Sequence, residues 1–227
     1  MPTKAHEKPT VESDELYKKG LALLESGALI QAGSLLRTVI NTNPQNSSAH
    51  NALGKVLQKR DQLSSSTAAY CSAAVLSSQL NSTIIDLATS YERQKNYSQA
   101  QALYKKALQE SIDKHKSLMG LARINAIKGN WEDALKQMKE ADSLLPNNAS
   151  INYNMAIMHI QRGELLNAYR KLKKAHRLND KNPQIIAQLA LMKLKQGNIK
   201  DAKQDAKKCL ALSPDNTIAQ QIMKKLT

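Results

Sequence analysis

Phenylalanine is absent from this 227-residue chain, tryptophan occurs once, and there are only 8 glycines and 6 prolines. A compact β fold draws its turns from glycine and proline and its strands from aromatic and β-branched residues. The composition therefore argues against β structure and for an all-α chain. No apolar run approaches the roughly 18–20 residues that a membrane helix needs. Hydrophobic residues still make up 41% of the chain and charged residues 23%, too apolar a balance for a disordered chain. Cysteine is nearly missing as well. Cys71 and Cys209 are distant in sequence and form no CxxC pair, which is no disulfide framework and fits a reducing compartment. Acidic residues are scarce: 33 Lys plus Arg stand against 19 Asp plus Glu, a net charge of +14. Such an excess attracts acidic partners of any kind without choosing among them. The opening segment, Met1 to Thr10, lacks the apolar core of a secretion signal. The expected location is the cytoplasm for the sequence as written, or the cell envelope if a leader has been removed.

What the chain does have is an internal period. Asn-Tyr-Ser-Gln-Ala ending at Ala100 recurs as Asn-Trp-Glu-Asp-Ala ending at Ala134, and the same 34-residue step reaches Ala168 and Ala202. Six blocks fit without insertion: 13–46, 47–80, 81–114, 115–148, 149–182 and 183–216. Three columns stay small. Position eight reads Gly20, Gly54, Ala88, Ala122, Ala156 and Ala190; position twenty reads Ala32, Ser66, Ala100, Ala134, Ala168 and Ala202. Position twenty-seven reads Val39, Ala73, Ala107, Ala141, Ala175 and Cys209. Large side chains lie between them, such as Leu53, Leu87, Leu121 and Leu189 at position seven.

That alternation predicts two antiparallel helices per block. Small residues let their backbones approach at the crossing, and large neighbours fill the flanks. Position fifteen (Gly27, Asp61, Lys95, Gly129, Gly163, Gly197) breaks the first helix into a turn. Pro44, Pro146 and Pro214 stop the second helix, each within a Pro-x-Asn. A single pair cannot bury both its faces, so pairs must stack.

The period, the small columns and the Pro-x-Asn endings resemble the tetratricopeptide-repeat family. The resemblance covers residues 13–216 and implies a right-handed superhelix, an α-solenoid of six helix pairs. Ser78, Ile112 and Asp180 replace proline at position thirty-two, and Lys19 takes a usually apolar seventh position. Ile218, Ile222 and Leu226 at helical spacing make residues 217–227 a capping helix, while residues 1–12 read as a flexible tail.

In this family the first helix of each pair lines the concave side. Positions two, five, nine and twelve share one face of that helix. The candidate partner groove is therefore Tyr17, Asn51, Lys55, Ile85, Thr89, Lys116, Met119, Arg123, Tyr153, Asn154, Ile157 and Leu191. Ile85, Met119, Tyr153, Ile157 and Leu191 would expose an apolar stripe, the usual mark of a partner surface. Arg123, Lys55 and Asn154 would add hydrogen bonds to a peptide backbone or an acidic side chain. The bland alternative is that curvature buries some of these residues against each other. The two-carboxylate clamp of heat-shock co-chaperones is absent: no repeat pairs Lys at five with Asn at nine, and Gly120 stands where its arginine belongs.

From Arg170 to Lys208 there are 12 Lys plus Arg against Asp180, Asp201 and Asp205. Arg170, Lys171, Lys173, Lys174, Arg177, Lys200, Lys203, Lys207 and Lys208 form a basic patch on second helices. It reads either as a solvated face or as an electrostatic contact with an acidic protein or, peripherally, an anionic membrane. Nucleic acid is disfavoured, since exposed aromatics for base stacking are not interleaved with it. The five histidines share no HxxxH spacing, so no metal is expected. Both cysteines read as buried fillers. With no nucleophile elbow, phosphate loop or dinucleotide fingerprint, neither catalysis nor a cofactor is expected. The chain reads as a non-catalytic scaffold or adaptor for a protein or peptide partner. Its size and repeat number also resemble the accessory proteins of pilus and secretin assembly. Self-association through an uncapped end or the groove stays open.

Overall fold

The computed structural model describes residues 11–77 and 81–226, so the reading of residues 1–10 as a tail and the departure at Ser78 lie outside the described residues. Among the described residues there are thirteen α-helices and no strand: α1(Val11–Glu25), α2(Leu29–Thr42), α3(Ser47–Lys59), α4(Leu63–Leu76), α5(Asn81–Arg93), α6(Tyr97–Gln109), α7(Lys114–Ile127), α8(Trp131–Leu144), α9(Ala149–Gln161), α10(Leu165–Leu178), α11(Pro183–Lys195), α12(Ile199–Leu212) and α13(Thr217–Lys225). Val11 and Glu12, assigned above to the tail, already belong to α1, whose first turn gains Glu12 and Asp14 against its positive end. α13 supplies the helix expected after the sixth block.

The helix ends follow from local chemistry. All six residues at position fifteen have positive φ, from 59° at Asp61 to 84° at Gly27. This left-handed residue closes the first helix and turns the chain into the second. Asp61 and Lys95 accept there the conformation that glycine adopts without steric cost. α2, α8 and α12 end two residues before Pro44, Pro146 and Pro214. Asn46, Asn148 and Asn216, the last residues of those Pro-x-Asn triplets, then cap the following helix, each side-chain oxygen accepting from a backbone N–H at 2.9–3.1 Å.

The chain divides into two compact units, Met1–Gly120 and Leu121–Thr227, the division falling within α7. In the first unit α1 packs on α2, α3 on α4 and α5 on α6; α2 meets α3, α4 meets α5, and the first helices α1, α3 and α5 also touch in sequence. In the second unit α9 pairs with α10 and α11 with α12, α8 and α10 join successive pairs, and α13 covers both α11 and α12. Every residue in the three small columns is buried, and Ala100, Ala134 and Ala168 have no exposed surface.

A fourth column is equally closed. Position twenty-four holds Leu36, Tyr70, Tyr104, Met138, Leu172 and Ala206, each at most 1% exposed. Its bulk explains the glycines: a Cβ on Gly54 would lie 2.6 Å from the Tyr70 ring, and one on Gly120 would lie 2.3 Å from the Tyr104 ring. The sequence pattern drew attention to the small partner of each pair and passed over the large one.

Candidate functional site

In the first unit the first-helix face is largely spent on internal contacts. Asn51 is buried and its amide donates to Thr83 Oγ1 at 3.1 Å and to Asp86 Oδ2 at 3.3 Å, both on α5. Ile85, expected on an exposed stripe, is only 6% exposed. Neighbouring first helices approach each other, α3 touching α5 with Asn51 at position five bonded into α5, so this column is spent on packing between repeats and not on an open stripe. Lys55 pairs with Asp86 at 3.4 Å. The Thr89 hydroxyl donates to Ile85 O at 2.8 Å and lies 3.1 Å from the Tyr104 hydroxyl. Tyr17 is half-buried against the core around Leu24 and Leu57, which raises its phenol above the ordinary range while a hydrogen bond with Ser48 works the other way. Lys116 is exposed and pairs with Asp113 at 2.8 Å. Met119 is half-buried.

The second unit keeps more of its first-helix face open. Tyr153 and Ile157 on α9 and Leu191 on α11 are half-buried, as is Asn154. Burial raises the Tyr153 phenol, and the hydroxyl is hydrogen-bonded to Gln188 on the next first helix, which partly offsets that shift. Arg123 is half-buried on α7. Across α11 and α13 the surface sinks into a groove of about 250 Å³ lined by Leu191, Leu194, Lys195, Ile218, Gln221 and Lys225 over Ile222. Of these only Leu191 was read from the sequence as a groove residue; Ile218 and Ile222 were read as the apolar face of a capping helix. The others were in reach: continuing the 34-residue register past Asn216 puts Ile218, Gln221 and Lys225 at positions two, five and nine of a seventh first helix.

The basic residues of α10 and α12 differ in their exposure. Arg170, Lys173, Arg177, Lys200, Lys207 and Lys208 are exposed, while Lys171, Lys174 and Lys203 are half-buried. Lys203 donates to the Leu226 carbonyl at 3.4 Å, tying α12 to the end of α13. Lys173 lies 5.7 Å from the centre of the Tyr169 ring. Cys209 is buried, its thiol donating to the Pro183 carbonyl at 3.2 Å and its pKa pushed up by burial. Cys71 is only half-buried, a correction to its reading as a buried filler, because α4 leaves that side chain beside an open apolar hollow with Ile40 and Val75. Among the described residues no three His, Cys, Asp or Glu side chains gather to hold a metal. No described helix is long and apolar enough to cross a membrane.

Two tetratricopeptide-repeat family models match the chain, one over residues 85–149 and one over 183–216. Those two stretches carry tetratricopeptide repeats, and the all-α fold is that of a tetratricopeptide-repeat array. No curated protein matches it in sequence. Among solved structures, the anaphase-promoting-complex assembly Cut9–Hcn1 is similar over 94% of this chain with a TM-score of 0.80 and 16% identity, and this chain spans 42% of that one. PilF of Pseudomonas aeruginosa matches 94% of this chain and 97% of its own, at TM-score 0.68 and 18% identity. PilW, described as a widely conserved type IV pilus biogenesis factor, matches 94% of this chain and 99% of its own, at 0.75 and 14%. At these identities the likeness is one of fold: an all-α array of tetratricopeptide repeats, which in general serves as a protein-interaction module rather than a catalyst.

Proposed function

We propose that this tetratricopeptide-repeat protein is a non-catalytic scaffold that grips a segment of a partner protein on the first-helix face of its C-terminal unit. The observation that carries this reading is the half-buried apolar line of Ile157, Leu191, Leu194 and Ile218, ending in the groove between α11 and α13. Partly exposed apolar side chains in a concave setting gain most when a partner excludes water from them, at about 25 cal/mol per Å² buried. Tyr153, Asn154 and Gln188 supply polar atoms beside that line, suited to a peptide backbone. Lys195 and Lys225 at the groove rim favour an acidic partner residue.

The test is affinity capture with the intact chain beside a charge-substituted Ile157→Glu/Leu191→Glu variant. A partner held by the first and lost from the second, with helical circular dichroism unchanged, supports the assignment. Equal capture by both removes it.

A second reading concerns the setting. PilF and PilW match this chain along almost their full lengths, so the whole repeat array has their size as well as their fold. On that ground we place the scaffold in pilus or secretin assembly at the cell envelope. Loss of surface pili on deletion of the gene, restored by the gene but not by the Ile157→Glu/Leu191→Glu form, is the expected result.

A further inference from the structure

The outer side of the second helices changes character along the chain. Positions eighteen, twenty-two, twenty-five and twenty-nine of a block fall at i, i+4, i+7 and i+11, one stripe of a helix. On α10 they are Leu166, Arg170, Lys173 and Arg177, and on α12 they are Lys200, Gln204, Lys207 and Ala211; every one is exposed. Lys208 is exposed beside the α12 stripe. The same positions on α2, α4 and α6 carry Arg37 and Lys105 as their only charges. Among the described residues Arg170, Lys173, Arg177, Lys200, Lys207 and Lys208 make no ion pair, and Lys173 contacts the Tyr169 ring.

Acidic side chains do not answer these cations. α10 contains no Asp or Glu. The two aspartates of α12 are half-buried in the hollow between α10 and α12 and already engaged, Asp205 by Lys193 at 2.7 Å and Asp201 by the Asn198 amide at 2.8 Å. Asp180 is exposed in the turn after α10, where Lys181 follows it. Concentrating like charge in this way works against the helices. Arg170 neighbours Lys173 and Lys174, Lys173 neighbours Arg177, and Lys203 neighbours Lys200 and Lys207, all at i,i+3 or i,i+4 spacing, where like charges repel. A merely solvated face does better with mixed charge, as α8 has in Glu132, Lys136, Lys139 and Glu140. Apolar side chains also stand among the cations. Leu166 is 65% exposed within the α10 stripe, and Ile199, Leu178 and Leu212 are exposed at the ends of the same two helices.

We infer that the outer face of α10 and α12 is a peripheral docking surface for a bilayer rich in anionic phospholipid, its cations meeting the headgroups while Leu166 enters the interface. A plane of headgroups touches both stripes at once without entering the hollow where Asp201 and Asp205 lie. Exposed leucines among lysines and arginines are the composition of helices that lie on membranes. A nucleic-acid backbone has no use for those leucines and finds no stacking platform here, Tyr169 being half-buried beside Lys173. This face belongs to second helices, and it stands whether or not the α11–α13 groove binds a partner.

The experiment sediments the full chain with phosphatidylcholine vesicles containing about 30% phosphatidylserine, and with vesicles of phosphatidylcholine alone. Binding to the anionic vesicles is expected to be tighter by about tenfold or more, and to weaken as salt is raised. Arg170→Gln/Arg177→Gln/Lys207→Gln should weaken it by about tenfold or more, with helical circular dichroism unchanged. Leu166→Trp in a Trp131→Phe background should show a blue shift of its fluorescence on the anionic vesicles, as an indole entering the interface does. Ile157→Ser/Leu191→Ser should bind as the parent does. Full affinity in the triple glutamine variant overturns the inference, as does loss of binding in the first-helix variant instead. It is equally overturned if Leu166→Trp shows no shift, since the contact is then one for any polyanion. A DNA duplex or polyglutamate that binds more tightly than the vesicles at equal concentration of anionic groups overturns it too, in favour of a nucleic-acid or acidic-protein contact.

Discussion

The two units are built from one repeat but close their interiors by different means. In the N-terminal unit the buried positions include Ser13, Asn51, Ser66, Thr67, Thr83, Ser90 and Ser117; in the C-terminal unit the buried polar side chains are Asn125 and Asn152. The first unit links its helices by hydrogen bonds: Ser66 to the Gly54 carbonyl at 3.0 Å, Thr67 with Ser90 at 2.7 Å, and Gln94 to Thr67. Arg93 reaches back to the Gln58 carbonyl at 2.8 Å and to Asp61 at 2.6 Å. Both units bury an apolar core, with Leu36, Val56 and Tyr70 in the first and Leu172, Ile185 and Leu189 in the second; the second has fewer buried polar side chains among it. Charge divides the same way: residues 1–120 hold 14 basic and 10 acidic residues, and residues 121–227 hold 19 and 9. Directional bonds fix register and consume the first-helix face. The second unit keeps Tyr153, Ile157 and Leu191 of that face half-buried, and the proposed partner groove falls there.

Substitutions in the shared twenty-fourth column should separate the two interiors most strongly. Tyr70→Ala removes a fully buried ring and is expected to cost about 3–5 kcal/mol by urea unfolding, as for other aromatic truncations. Leu172→Ala in the second unit should cost about 2–4 kcal/mol, its smaller volume leaving a smaller cavity. A cost under about 1 kcal/mol at either position would show that its helices re-close over the gap.

Next comes the glycine beneath the ring. Gly54→Ala brings a methyl to within 2.6 Å of Tyr70, and overpacking of this kind should outweigh the helix-propensity gain of alanine, for a net loss of about 1–2 kcal/mol. In a Tyr70→Leu background the same change should become neutral or stabilising, because the ring that collides is gone. In the second unit alanine already fills this column at Ala156 and Ala190, opposite Leu172 and Ala206. The Tyr70 ring thus accounts for Gly54 in particular, since Ala88 stands at the same position of the third repeat, whose position twenty-four is Tyr104. A loss that persists without the ring would mean that the helix backbone at Gly54, rather than Tyr70, sets the limit.

A smaller effect tests the hydrogen bonds between first helices. Asn51→Ala leaves Thr83 buried without its donor and loosens Asp86, an expected cost of about 1–2 kcal/mol. Equivalent truncation at Tyr17 or Met119, which are half-buried at the same column, should cost less.

These comparisons also show what was legible in the sequence. The period, helix hairpins and position-fifteen turns were legible, because each rests on local chemistry: a left-handed turn residue, a proline stop, an asparagine cap, a small residue at a crossing. The face of the first helix was legible only as a face. Whether Ile85 or Ile157 stays accessible depends on how closely the next first helix approaches, which involves residues about 34 positions away and no local pattern. The α11–α13 groove was hidden for a different reason: its far wall belongs to a helix read as a lid rather than as another turn of the array.

The mildest contrast is in acid. Among the described residues the two carboxyls held below their ordinary range, Glu164 and Asp215, both belong to the second unit. Glu164 owes this first to the hydrogen bond with His159 Nδ1 at 2.6 Å, and it also receives Arg162 Nε at 2.8 Å. Asp215 owes it first to the Ser213 hydroxyl at 2.6 Å. A carboxyl whose folded pKa is depressed stabilises the fold fully above its unfolded value, about 4, and loses that contribution as pH falls through the folded value. The first-unit positions equivalent to Glu164, namely Ala28, Gln62 and Asn96, cannot titrate. Amide hydrogen exchange measured between pH 6 and pH 3 should therefore lose protection first around Glu164 and Asp215, while the Gln62 and Asn96 turns follow the intrinsic exchange rate alone. Glu164→Gln should weaken the hinge at pH 6 and converge with the parent at pH 3. If the two proteins stay equally far apart at both values, the His159 contact acts through shape and not through charge, and the acid contrast between the units disappears.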